Sequence, residues 1–149
     1  MKFFSKMISS FFWIGFFPVA PGTLASLITV LIYKFGLYLL TWPFMLSLFI
    51  VIYVLGLAAS SKYVSLSGKH DPGEVVIDEV LGQLVALFLL KPSWTMVLSA
   101  FFLFRFFDII KPLFIKKAEK FSKGWGIMLD DIIAGMYTSI ILNIIILLR

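Results

Sequence analysis

Six of the eight acidic residues of this chain lie within or at the edges of stretches that are otherwise apolar enough to enter a bilayer. They are Glu74, Asp78, Glu79, Asp108, Asp130 and Asp131. A carboxylate at the centre of a membrane costs roughly 2.5–3.5 kcal/mol on insertion scales, and it therefore usually marks a functional position. We expect the helices that carry these acids to bring them to one shared site, which restricts the folds open to the chain.

The composition predicts an all-α integral membrane protein with a single domain over residues 1–149. Hydrophobic residues make up 61% of the chain and charged residues 14%, whereas soluble domains average about 45–50% and about 25%. The chain has no cysteine, which excludes disulfides, thiolate metal sites and cysteine nucleophiles. The net charge of +5 does not indicate nucleic acid, because the basic residues flank apolar segments and suit a membrane surface.

Apolar segments predict about five short transmembrane helices, at residues 22–40, 43–60, 75–90, 94–108 and 127–148. Residues 3–17 are too few to cross a hydrocarbon core of about 30 Å, so we expect an N-terminal in-plane or re-entrant helix there. Residues 61–73 are predicted to form a polar loop. The lysine-rich residues 111–123 have the amphipathic pattern of an interfacial helix.

The basic residues predict the orientation of these spans. With five spans and the N-terminus inside, ten of the thirteen lysines and arginines fall on the cytoplasmic side. This distribution follows the positive-inside rule. It also places the acidic clusters at the cytoplasmic face.

Asp71, Glu74 and Asp78 are spaced i, i+3 and i+7, so a helix starting near residue 72 would align them on one face. Glu79 would lie about 100° round the same helix. The alternative is that these acids only open the helix and interact with its positive N-terminal dipole. That alternative is weaker for Asp78 and Glu79, which are followed by an apolar run.

Arg105 and Asp108 are spaced i and i+3, and Lys111 continues the same line before Pro112. One interpretation is an internal arginine–aspartate pair that stabilises both charges at the membrane edge. The other is that Asp108 holds a metal while Arg105 and Lys111 bind phosphate oxygens. The sequence leaves both open.

Asp130 and Asp131 open the last span and are followed by Ala134 and Gly135, which permit close approach of a neighbouring helix. Adjacent aspartates repel each other, and a nearby cation relieves that repulsion. Oxygen ligands without cysteine favour Mg²⁺ or Mn²⁺ over zinc.

Three further residues are candidates for substrate binding. His70 is the only histidine and lies beside the acids in KHDPGE, although a lone loop histidine is often simply solvated. Thr23 and Ser26 follow Pro21-Gly22 at a predicted helix start, where backbone N–H groups and hydroxyls can hold an anion. An ordinary helix cap is the alternative.

Four segments in series resemble one known family. They are P-x-A-P-G-T-x-x-S at 18–26, H-D-x-G-x-x-x-x-D-E-x-x-G at 70–82, F-R-x-x-D-x-x-K-P at 104–112 and G-x-G-I-M-x-D-D-x-x-A-G at 124–135. In this order and spacing the chain resembles the phosphatidylglycerophosphatase A family of small bacterial membrane phosphatases.

The resemblance implies a Mg²⁺-dependent enzyme of the bacterial cytoplasmic (inner) membrane that hydrolyses phosphatidylglycerophosphate, a phospholipid, to phosphatidylglycerol and phosphate. Asp78, Glu79, Asp108, Asp130 and Asp131 are then the expected catalytic and metal-binding residues. The nucleophile is a water or a carboxylate, and the residues do not decide between them. The oligomeric state is not predicted.

Two alternatives belong to other functional classes. A divalent-cation or proton-coupled transporter also has intramembrane acids and small-residue helix faces. Against it, the acids cluster at one face rather than near the midplane, and no inverted repeat is visible. Phosphotransferases that use CDP-activated lipids also have membrane-edge aspartates, but their D-G-x-x-A-R motif does not occur here.

Overall fold

The structure is a computed structural model that describes residues 2–68, 72–112 and 124–148. In these ranges the chain forms α-helices and no strand, which confirms the all-α prediction. The helices are α1 (Lys2–Ser9), α2 (Pro21–Phe35), α3 (Trp42–Ser67), α4 (Ile77–Ala86), α5 (Trp94–Ile110) and α6 (Gly124–Leu147), with 3₁₀ turns at Ile14–Phe16 and Leu37–Leu39. The predicted interfacial helix lies outside the described residues, except for residues 111 and 112.

Local sequence signals set the helix ends. Pro21 occupies the first turn of α2, where its fixed φ suits a helix and its missing N–H is not needed. The Ser93 hydroxyl accepts a hydrogen bond from the Met96 N–H and caps α5. Gly68 ends α3 with a φ of 70°, a left-handed conformation that glycine adopts without strain.

The N-terminal segment packs against the loop that precedes α4. Helix α1 has eight residues, too few to cross a bilayer. The chain then turns through three consecutive residues with positive φ, Phe11, Phe12 and Trp13. The Val76 N–H donates a hydrogen bond of 2.9 Å to the Ser9 carbonyl, which ties this segment to the start of α4. Its orientation in the membrane stays a prediction.

The predicted loop at 61–73 is wrong over its first seven residues, which extend α3 to Ser67. Its serines and lysine are compatible with a helix, and the first strong helix-ending residue is Gly68. The predicted alignment of Asp71, Glu74 and Asp78 is also wrong. Helix α4 begins only at Ile77, so Glu74 lies in a turn before it, while Asp71 is outside the described residues.

Two of the described helices are long and apolar enough to cross a membrane, α3 and residues Trp125–Leu147 of α6. Helices α2 and α5 have 15 and 17 residues. Helix α4 has only 10 residues, or about 15 Å of helix. Five transmembrane helices are therefore not confirmed.

Helix α4 is the central element, because α2, α3, α5 and α6 all pack on it. Eight of its ten residues are buried. Val80, Leu81 and Leu84 form a core cluster with Ala25 of α2 and Met128 of α6. A short apolar helix that buries its whole circumference is typical of a protein core, and this one carries Asp78 and Glu79 into the interior.

Candidate active site

Three carboxylates meet at the N-terminal end of α4. Asp78 and Glu79 come from the first turn of α4, and Asp131 comes from α6. One oxygen of each lies within 4.8 Å of the others. Asp78 and Asp131 are buried and Glu79 is half-buried. The structure thus brings together acids that lie far apart in the sequence.

A glycine contact between two helices sets this arrangement. A Cβ on Gly82 would lie 2.6 Å from the Asp131 carbonyl oxygen, and a Cβ on Gly135 would overlap the Gly82 carbonyl oxygen. The helices α4 and α6 therefore touch backbone to backbone. Asp78 and Asp131 each lie one turn before the glycine of their own helix, so the contact between the helices brings their carboxylates close together.

Glu79 reaches the N-terminus of α2. A Cβ on Gly22 would overlap the Glu79 Oε1 atom, so only glycine permits this approach. A negative charge at this position is stabilised by the helix dipole and the first-turn N–H groups. The predicted anion seat at Pro21-Gly22-Thr23 thus contacts a carboxylate of the protein itself.

Arg105 joins α5 to the cluster. Its Nη1 atom lies 2.5 Å from Asp108 Oδ2 and 4.0 Å from Glu79 Oε1. The internal pair suggested by the i, i+3 spacing is present. Asp108 also interacts with Asp131, so it borders the three-carboxylate cluster instead of lying apart from it.

Lys111 pairs with Asp130. The Lys111 Nζ atom donates a hydrogen bond of 2.6 Å to Asp130 Oδ2, and Asp130 Oδ1 accepts one of 3.1 Å from the Asp131 N–H. Lys111 has a φ of 48° at the end of α5, where Pro112 stops the helix. Both oxygens of Asp130 are therefore occupied, whereas Asp78 and Glu79 each keep one oxygen without a partner among the described residues.

The donor set suits a hard divalent cation. Asp78 Oδ1 and Glu79 Oε2 are buried and accept no hydrogen bond from any described residue. Three carboxylates this close repel each other, and leaving the buried oxygens unbonded is costly. A cation bound by all three would offset both costs. Oxygen ligands alone favour Mg²⁺, Mn²⁺ or Ca²⁺.

The remaining predicted site residues are Thr23, Ser26 and His70. Thr23 is half-buried in the first turn of α2, and Ser26 is fully buried one turn deeper than Gly22. His70 lies outside the described residues. Sequence reasoning missed Gln83, a fully buried residue of α4 one turn deeper than Glu79. The available signal was a single glutamine within the apolar run VLGQLVALFLL.

The family model for phosphatidylglycerophosphatase A matches residues 7–146. Two similar proteins carry that name. One, from Haemophilus influenzae, is 38% identical over 85% of this chain and 79% of its own length. The other, from Escherichia coli K12, is 34% identical over 88% of this chain and 77% of its own length.

A third relative has a different name. A Bacteroides thetaiotaomicron protein called "Putative phosphatidylinositol-3-phosphatase" is 36% identical over 96% of this chain and 94% of its own length. No solved structure matches the chain. The comparisons do not support the transporter alternative.

Proposed function

Because the chain belongs to the phosphatidylglycerophosphatase A family, we propose that it hydrolyses phosphatidylglycerophosphate to phosphatidylglycerol and phosphate in a Mg²⁺-dependent reaction. The observation that carries the proposal is the cluster of Asp78, Glu79 and Asp131, with one oxygen of each within 4.8 Å of the others. The buried oxygens without hydrogen bonds among the described residues support a cation at this place. Its oxygen-only donor set favours Mg²⁺.

Asp78, Glu79 and Asp131 would hold the ion, with Asp108 and Asp130 at its border. When bound, Mg²⁺ supplies Lewis-acid polarisation of phosphate oxygens. In the reaction a water oxygen forms a bond to phosphorus and the ester P–O bond breaks. A cluster carboxylate accepts the water proton, and the released oxygen of phosphatidylglycerol takes up a proton.

Arg105 and Lys111 are the proposed phosphate ligands. Each is already held towards the cluster by an aspartate, Asp108 and Asp130 respectively. A guanidinium has five N–H donors, and Arg105 Nε is buried without a hydrogen bond to any described residue. Arg105 therefore keeps donor capacity for a phosphate while it stays paired with Asp108. Thr23 and His70 remain proposed substrate contacts.

A second substrate follows from the Bacteroides thetaiotaomicron relative, whose name specifies a phosphatidylinositol 3-phosphatase. Phosphatidylglycerophosphate and phosphatidylinositol 3-phosphate both carry a phosphomonoester on a lipid headgroup. The carboxylates, Arg105 and Lys111 contact chemistry that the two lipids share, so they do not select between them. We favour phosphatidylglycerophosphate because both other relatives are named for it.

A phosphate-release assay tests the function. Purified protein in detergent micelles would be given each lipid, with Mg²⁺ or with excess EDTA. We expect rapid release from phosphatidylglycerophosphate, slower release from the inositol lipid, and loss of both in EDTA. Undiminished release in EDTA would contradict the metal role. Faster release from the inositol lipid would reverse the substrate assignment.

We further propose a multi-pass protein of the bacterial inner membrane with five spans and the acidic cluster at the cytoplasmic face. The ten basic residues predicted on that side support this orientation. Ser67 ends α3, and Ser93 follows the C-terminal end of α4; both are exposed. An impermeant thiol reagent should label Ser93→Cys in intact cells and Ser67→Cys only in inverted vesicles. The opposite result would overturn the orientation.

A further inference from the structure

Gln83 is the only glutamine in the chain, and it is fully buried in the middle of α4. Neither its Oε1 nor its Nε2 atom has a hydrogen-bond partner among the described residues. The Ser26 hydroxyl on α2 is equally buried and is likewise unbonded within the described part of the chain. Two separate helices thus each bury an unsatisfied polar group.

By helical spacing, the two groups follow one seam, the contact between α2 and α4. Gly22 of α2 touches the Glu79 carboxylate of α4, so these two helices begin side by side. Ser26 and Gln83 each follow that contact by four residues, or one helical turn, on the same helix face. The seam therefore leads from the acidic cluster into the protein through Glu79, Gln83 and Ser26.

Packing does not explain these groups. A buried amide without hydrogen bonds destabilises a fold, and an apolar side chain of similar volume would suit the position better. The two buried threonine hydroxyls of the described residues, by contrast, are satisfied by their own helix. The Thr29 hydroxyl donates to the Ala25 carbonyl at 2.8 Å, and the Thr138 hydroxyl donates to the Ala134 carbonyl at 3.0 Å. Gln83 and Ser26 differ from this pattern next to the candidate active site.

One chain of hydrogen bonds would satisfy every unbonded atom of the seam. The Ser26 hydroxyl can donate to Gln83 Oε1, and Gln83 Nε2 can donate to Glu79 Oε2, which is itself buried and unbonded among the described residues. Carboxylates that hold a cation are usually oriented by such outer hydrogen bonds, and losing one typically costs about 10–100-fold in metal affinity or activity.

We propose that Gln83 is a positioning residue for Glu79, and that Ser26 fixes the Gln83 amide in turn. In the cation-bound enzyme the relay Ser26–Gln83–Glu79 holds the Glu79 carboxylate in its binding orientation. Ser26 thus acts through Gln83 instead of touching the lipid phosphate. The inference rests on the proposed function, because it assigns Glu79 as a cation ligand.

The test replaces Gln83 by methionine, which keeps the shape of the side chain but removes both hydrogen-bonding groups. Mn²⁺ and Mg²⁺ affinity of the full-length protein in detergent would be measured by calorimetry, and thermal unfolding would be measured without cation. We expect Gln83→Met to bind the cation about 10–100-fold more weakly. Its unfolding temperature should be unchanged or higher, because an unsatisfied buried amide is gone.

Ser26→Ala should weaken cation binding in the same direction but less. The double variant should bind no worse than Gln83→Met alone, because Ser26 acts only through Gln83. Thr29→Val is the matched control, since that hydroxyl bonds within its own helix. It should leave cation affinity and turnover at the wild-type level.

Cation affinity within twofold of wild type in a folded Gln83→Met protein would overturn the inference while the proposed function stands. Additive losses in the double variant would remove Ser26 from the relay. If Gln83→Met fails to fold, unchanged affinity in Ser26→Ala overturns the relay. A wild-type protein that binds no divalent cation overturns the proposed function, and this inference with it.

Discussion

The two ends of α4 differ in how buried and half-buried polar groups are hydrogen-bonded. Beyond its C-terminal end, polar side chains bond to backbone carbonyls of the connection to α5. The Tyr33 hydroxyl donates to the Leu90 carbonyl at 2.5 Å, and Lys34 Nζ donates to the Pro92 carbonyl at 2.7 Å. The Asn143 amide donates to the Phe88 carbonyl at 3.3 Å. This end contains polar groups whose hydrogen bonds hold the fold together.

The N-terminal end keeps buried oxygens without hydrogen bonds to the described residues, among them Asp78 Oδ1 and Glu79 Oε2. A chain that can satisfy polar atoms at one end of a helix is able to do so at the other. Under the proposed function, the N-terminal groups are arranged for a ligand, at a cost in stability. Mutations at the N-terminal end should therefore lower turnover more than stability, and mutations at the C-terminal end should lower stability more than turnover.

The largest effect is expected at the carboxylates. Asp131→Asn should lower turnover by at least about 10³-fold, and combining it with Asp78→Asn should add little, since these groups serve one transition state. The unfolding temperature without cation should stay level or rise, because repulsion between carboxylates is relieved. Phosphate release and thermal unfolding measured together test this.

Glu119→Gln is the control for the carboxylate variants, since this acid lies outside the clusters in the sequence. It should retain wild-type turnover. Equal inactivation of Glu119→Gln and Asp131→Asn would contradict the assignment of Asp131, and not Glu119, to the candidate site.

A mutation at the contact between α4 and α6 should lower both turnover and stability. In Gly135→Ala a methyl group meets the Gly82 carbonyl oxygen, so α4 and α6 must separate. We expect unfolding to become easier by about 1–3 kcal/mol, the usual range for overpacking, together with a large loss of turnover. Gly36→Ala is a matched control, because its Cβ would meet only the Ile32 carbonyl oxygen at 3.5 Å. Normal turnover in Gly135→Ala would show that the crossing does not set the site.

Replacing Arg105 should have an effect on turnover of intermediate size. Arg105→Lys keeps the charge but loses the fork that can bind Asp108 and a phosphate together. We expect turnover to fall by roughly 10²-fold with little change in unfolding temperature, by comparison with the loss of one stabilising donor in other active sites. Near-normal turnover in Arg105→Lys would leave Arg105 only as a counter-charge for Asp108.

The smallest effect on turnover is expected at the C-terminal end. Tyr33→Phe removes the hydrogen bond to the Leu90 carbonyl and should lower the free energy of unfolding by about 1 kcal/mol. Turnover should remain within twofold of wild type. A Tyr33→Phe protein of normal stability but low turnover would reverse the contrast between the two ends.

The sequence predicted the helical class and the convergence of the acids, because carboxylates in apolar segments have few stable arrangements. It also identified Gly135 as a close-approach position. It did not predict the partner, Gly82, or the length of α4. A short helix buried on all sides has the same apolar run as a membrane span, and only packing against four other helices distinguishes them.

The extent of α3 and the position of Glu74 were missed for a local reason. Residues 61–67 contain three serines and a lysine, which suggested a loop although nothing before Gly68 stops a helix. Gln83 was missed because a single polar residue in an apolar run has no periodic signal. Its significance depends on atoms without hydrogen bonds, which only the three-dimensional arrangement reveals.

The contact between Gly82 and Gly135 also has a consequence for biosynthesis. Asp78 and Glu79 leave the ribosome well before Asp131, and the cluster closes only when α6 has been made and has docked on α4. Until then the nascent chain has two of the three carboxylates and no complete site. Under the proposed function, activity therefore requires α6 to have docked on α4, and a nascent chain without α6 is not expected to act on the lipids around it.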